Sequence, residues 1–145
     1  VWSHIAASHF NLPVSSHSGG VEITACNERT IASLKRFGFL IISSGDTSNP
    51  KYEITFSNQL PPILCFSKLH SNSSSPKSNF AAIMTCSHAD ENCPIVDGME
   101  QRIAVRYEDP KKHDDTRLEE IMYDERSMQI AKELFHVYNS VSKLI

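Results

Sequence analysis

Cys86 and Cys93 flank the polar hexapeptide "SHADEN" within "TCSHADENCPIV" (85–96). On a regular helix, residues seven positions apart lie about 10 Å apart along the axis, beyond the roughly 7 Å limit between α-carbons for a disulfide. Bonding therefore requires the backbone between them to leave helical form. If the segment is an open loop, closing so short a ring costs little chain entropy, so oxidation and local structure are coupled either way. The turn-forming residues between the thiols give both a route to solvent, which a reactive thiol needs and a core thiol avoids. Two other readings stay open. The cysteines can be unrelated small apolar side chains, or ligands of a zinc site with His88 or Asp90, although zinc pairs are normally separated by only about two to four residues.

Asp109, in "YEDPKKHDD" (107–115), is the other residue with chemical potential. Pro110 disfavours α-helical angles at Asp109, which sets its carboxyl in a loop after an apolar strand. Ligands of open α/β sheets sit at the carboxyl ends of strands, a place suited to a general acid. The alternative is a plain Asp-Pro turn leading into a helix. Cys65, inside "PPILCFSK", reads as a core residue, and Cys26, before a helix start, as structural.

The elements that must position these groups follow from periodicity. Trp2, Ile5, Ala6 and Phe10 recur at helical spacing until Asn11-Leu12-Pro13, and "VSSHSGG" reads as a strand running into a loop. A helix is expected over 27–38, with Asn27 as N-cap, Gly38 at its C-terminal end, and Ile31, Leu34 and Phe37 on one face. "FLIIS" and "KYEITF" flank the turn-rich "SGDTSNP", which predicts an antiparallel hairpin followed by the extended "PPILCFSK". Residues 67–79 are rich in serine and predict a mobile loop, whose Asn72-Ser73-Ser74 sequon carries no weight in a cytoplasmic chain. "FAAIMTC" (80–86) reads as a strand buried on both faces and "RIAVRY" (102–107) as a second. A long helix closes the chain, with a capping box at Thr116 and Glu119 and an apolar stripe from Leu118 to Val141. Alternating strands and helices predict an α/β domain, a three-layer sandwich with a mainly parallel sheet, over residues 1–145.

The composition bounds the function. A chain of 145 residues fits one domain. Fourteen basic and 17 acidic residues give a net charge of −3 and no basic patch, so no nucleic-acid partner is expected. No stretch approaches the roughly 18 consecutive apolar residues of a membrane span, and the N-terminus lacks the pattern of a signal peptide. Four cysteines are too few for a disulfide scaffold. We therefore expect a cytoplasmic chain without membrane partners, in which any disulfide is transient.

The run from Phe80 to Phe135 resembles the C-terminal half of the low-molecular-weight tyrosine phosphatase superfamily, specifically its thioredoxin-coupled arsenate reductase branch. The most specific motif is C-S-x-A-D-x-x-C-P, supported by D-P before a long helix, while "HSGGVEITACNERTIASLKRFGF" is similar to the family's second strand and helix. Residues 51–66 and the serine loop resemble an insertion that adds a β-hairpin. The resemblance implies the phosphotyrosine protein phosphatase I-like fold, no cofactor, an arsenate or phosphate-type oxyanion as substrate, and thioredoxin or a similar thiol reductant as partner. In that family a cysteine in a C-x₅-R loop attacks the oxyanion, and an aspartate before proline protonates the leaving oxygen. A second cysteine then attacks the first, and a third resolves the disulfide. By motif match Asp109 is the acid, Cys86 the second cysteine and Cys93 the third. No C-x₅-R occurs here: Cys26, Cys65, Cys86 and Cys93 are followed six positions later by Ala32, Ser71, Asn92 and Met99. "VWSHIAASHF" resembles the later part of the helix that follows the family's phosphate loop, so an N-terminally truncated enzyme is expected. The alternatives are a catalytically silent binding or regulatory domain of the same fold, and a plain tyrosine phosphatase whose loop cysteines are unused.

Overall fold

A computed structural model describes residues 1–85 and 95–145. Cys86 and Cys93, with His88 and Asp90, lie outside the described residues. The chain is an α/β protein. Its elements are α1 (Trp2–His9), α2 (Glu28–Arg36), β1 (Leu40–Ser44), β2 (Lys51–Thr55), β3 (Ile63–Cys65), β4 (Phe80–Met84), β5 (Met99–Ala104), a 3₁₀ turn (Pro110–His113) and α3 (Glu119–Val141).

The expected hairpin forms. β1 pairs antiparallel with β2 in the register Leu40↔Thr55 to Ser44↔Lys51, and β2 pairs antiparallel with β3. Asp46 fixes the connecting turn by accepting a hydrogen bond from the Ser48 N–H at 2.9 Å. Because side chains alternate across a strand, Ile41, Ile54 and Ile63 share the face turned to the interior, where Ile54 is completely buried. Leu40, Ile42 and Leu64 share the outer face and are exposed.

The mainly parallel sheet is not what the described strands form: β1, β2 and β3 make one antiparallel sheet, and β4 and β5 make a separate parallel pair. Short turns between consecutive strands permit only antiparallel pairing, whereas the longer passage from β4 to β5 permits a parallel one. Nor is β4 buried on both faces. Met84 is buried, but Ile83 is 51% exposed and is paired with the exposed Ile103 on the same face. The strand expected in "VSSHSGG" is absent; Gly20 makes a single bridge to Leu69, and Gly19 packs so closely that a Cβ would sit 2.6 Å from the His70 α-carbon. That contact fastens the start of the serine-rich segment. Its far end lies against Gly98, where a Cβ would overlap the Lys77 carbonyl oxygen.

Both remaining helices lean on α3. Trp2 donates from its indole N–H to Ser127 Oγ at 2.9 Å and meets Phe37 and Phe39 edge-on, while Ser3 and Tyr138 share a hydrogen bond of 2.6 Å. On α2, Ile31 and Leu34 are buried, and Ser33 donates to Asp124 Oδ1 at 2.5 Å. Arg36 grips the same carboxylate through Nε at 2.9 Å and a terminal nitrogen at 2.8 Å. The α2 termini match their sequence signals: Asn27 Oδ1 accepts from the Arg29 N–H at 2.8 Å, and Gly38 leaves the helix with φ +89°. The capping box before α3 is displaced by one residue. The Glu119 carboxylate accepts from the Asp115 N–H at 2.6 Å, and Thr116 Oγ1 accepts from the Leu118 N–H at 3.2 Å, not from Glu119, while donating to the His113 carbonyl. Among the described residues, no helix is long and apolar enough to cross a membrane.

Candidate functional site

The parallel pairing of β4 with β5 continues past both strands. The Val105 N–H donates to the Met84 carbonyl at 2.9 Å and the Tyr107 N–H to the Thr85 carbonyl at 3.1 Å. This explains why "RIAVRY" reads as a strand to 107 although β5 ends at Ala104. The two chains reach their carboxyl ends together, one at Thr85 and the other at Tyr107-Glu108-Asp109. Thr85 immediately precedes Cys86 in the sequence. The candidate site is this end of the parallel pair.

Asp109 is exposed and extended, with φ −69° and ψ 120°, as its proline successor requires. Its carboxylate accepts from the Lys111 N–H at 2.9 Å, capping the 3₁₀ turn Pro110–His113. The Asp-Pro turn and the loop at the strand's carboxyl end are thus the same structure. Around it the groups are strongly polar. Tyr107 donates its phenol to Glu133 Oε2 at 2.6 Å, and the other oxygen of Glu133 accepts from Gln129 at 2.8 Å. Burial and the neighbouring carboxylate push the Tyr107 phenol up to about 12, while the bond from Tyr107 holds Glu133 below the usual carboxylate range. Arg126 bonds Gln129 and lies 3.7 Å from Glu108, which also pairs with Lys112. Its Nε is buried with no hydrogen-bond partner among the described residues.

A second network fixes the turn that follows Asp109. Arg29, at the start of α2, donates from Nε to Glu119 Oε2 and from a terminal nitrogen to Asp115 Oδ1, both at 2.8 Å. Asp114 accepts from the Tyr123 phenol at 2.9 Å, and that phenol accepts from Asn27 Nδ2 at 3.1 Å. The Arg29 bond holds Glu119 below its ordinary range. Burial and the Asp114 carboxylate raise Tyr123, and the charge of Asp109 adds to the effect. One asparagine therefore caps α2 and ties it to α3 beneath the site.

Of the residues singled out from sequence, Asp109 stands at the candidate site, and Cys86 and Cys93 lie outside the described residues. Cys65, expected in the core, is only half-buried, and so is Cys26; both are free thiols on other elements. Arg126, Tyr107 and Glu133 were not singled out. The signal that could have found them was spacing: Gln129 and Glu133 stand three and seven positions after Arg126, one helical face. Among the described residues no cluster of three or more His, Cys, Asp or Glu could hold a metal ion. No protein-family model and no curated protein matches the chain.

Proposed function

We propose that this chain is the C-terminal part of an arsenate reductase-like or tyrosine phosphatase-like enzyme of the low-molecular-weight phosphatase type, acting on a tetrahedral oxyanion. A cysteine nucleophile beyond the given residues attacks the oxyanion, Asp109 protonates the leaving oxygen, and Cys86 and Cys93 relay electrons to a thioredoxin-like reductant. One observation carries the reading: the bond from the Tyr107 N–H to the Thr85 carbonyl brings the Asp109 loop and the entrance to the cysteine segment to one end of a parallel strand pair. In the relay the second thiolate attacks the first cysteine's arsenic adduct, arsenite leaves with the electron pair, and Cys93 takes over the resulting disulfide before external thiols reduce it. The three-layer sandwich with a mainly parallel sheet belongs to this proposal, because it needs a further parallel strand beside β4 and β5.

The test uses the full-length polypeptide. Cys86→Ser and Cys93→Ser are expected to abolish thioredoxin-dependent arsenate reduction while hydrolysis of an aryl phosphate survives. Equal loss of both activities, or of neither, rejects the relay. The lack of C-x₅-R among the given residues favours a second reading, a silent binding or regulatory domain. Coding sequence upstream of Val1 that lacks a cysteine loop would select it.

A further inference from the structure

Cys26 and Cys65 have no part in the proposed relay, yet the segments that carry them are hydrogen-bonded to each other. The segment leading into α2 runs beside the exit of β3: the Thr24 N–H donates to Ser67 Oγ at 2.9 Å. Cys26 lies two residues after Thr24, and Cys65 two residues before Ser67. Ser67 is held in place from the other side, its N–H donating to Asn49 Oδ1 at 3.1 Å and its carbonyl accepting from Asn49 Nδ2 at 2.9 Å. Cys65 sits opposite Tyr52 in the β2–β3 register, which puts it on the inward face of the sheet. Lys68 completes the cluster, 8% exposed with its ammonium 4.7 Å from the centre of the Phe66 ring. Burial pushes both thiols up, and the charge of Cys65 raises Cys26 further, while the Lys68 ammonium favours the thiolate form of both. Both thiols are only half-buried, so a small oxidant reaches them.

We propose that Cys26 and Cys65 are a second oxidisable thiol pair, a disulfide site for peroxide-class oxidants that clamps the start of α2 to β3. One thiolate attacks an oxygen of hydrogen peroxide; the O–O bond breaks, a sulfenic acid forms, and the departing hydroxide takes up a proton as water. The other thiolate then attacks the sulfenic sulfur, the S–O bond breaks and a second water leaves. Two thiols lose two electrons in all, and one peroxide becomes two waters. The proposal does not depend on the oxyanion chemistry.

The experiment uses the reduced chain and its C86S/C93S variant, each treated with hydrogen peroxide and digested with trypsin after alkylation. Cleavage after Arg29, Lys51, Lys68, Lys77 and Arg102 leaves Cys26 and Cys65 on different peptides and Cys86 with Cys93 on a third. The expected result is an intrachain Cys26–Cys65 linkage in both proteins, with loss of both free thiols in the variant. It should form at least about tenfold faster in native buffer than in urea, because the fold supplies the proximity. The proposal is overturned if Cys26 and Cys65 link only to Cys86, to Cys93 or to another chain, or if both remain alkylatable. A linkage that forms no faster in the folded chain than in urea overturns it equally. Should the variant not fold, peptide mapping of the unsubstituted chain decides between the same outcomes.

Discussion

Asp109 carries two assignments that its own substitutions separate. As a cap it needs only a side-chain oxygen for the Lys111 N–H, which asparagine also supplies; as a general acid it needs a proton to give. In the full-length polypeptide, Asp109→Asn is expected to lower aryl phosphate turnover by about 10²–10⁴-fold with the thermal midpoint unchanged. Asp109→Ala should lower turnover equally and also destabilise the turn, by about 0.5–1 kcal/mol. Turnover that survives Asp109→Asn leaves Asp109 as a cap alone. Sequence pointed to this residue because proline constrains its predecessor by local sterics, which need no tertiary context. Arg126 is the opposite case. Its spare donor arises only from what surrounds it after α3 has docked.

The α2–α3 contact shows how an element is held by a few polar groups over a small apolar patch. Asp124 receives Ser33 and both arms of Arg36, and the Arg36 bond chiefly holds its carboxyl below the ordinary 3.8. A carboxyl with a depressed folded-state pKa contributes stability that is complete above the unfolded value and is lost as pH falls through the folded one. Urea midpoints of the chain and of Asp124→Asn are therefore expected to differ most above about pH 4 and to converge as the solution is made more acidic. A gap that widens below that pH contradicts the assigned role. Since the pair is partly solvated and asparagine still offers Ser33 an acceptor oxygen, the loss at neutral pH should be modest, about 1 kcal/mol, most of it from the charge removed opposite Arg36. The Asn27 cap and the Gly38 exit were legible beforehand because both signals are local. Asp124 and Arg29 were not, since their partners stand some ninety residues away in the chain.

At the scale of the molecule, the interior is small, and Ile54 is its only large apolar side chain among the described residues with no exposure at all. Ile54→Ala is expected to cost about 2–5 kcal/mol in a urea melt. Leu64→Ala, on the outer face of the adjoining strand and 50% exposed, should stay within about 0.5 kcal/mol. Equal losses would place the core on the wrong face of the sheet. Alternation along each strand settles which residues share a face, but not which face is covered. The sequence alone determined the helices over residues 2–9, 28–36 and 119–141, the hairpin and the Asp109 turn, because caps, glycines, prolines and periodicity act over a few residues. Tertiary structure decided that β1, β2 and β3 form their own antiparallel sheet and that β4 keeps an exposed face. It also joined the segment before α2 to the exit of β3 and gathered Tyr107, Arg126 and Glu133 around the strand ends. Each of these depends on long-range docking, in which the loss of chain entropy is offset only by contacts that no local window of residues contains.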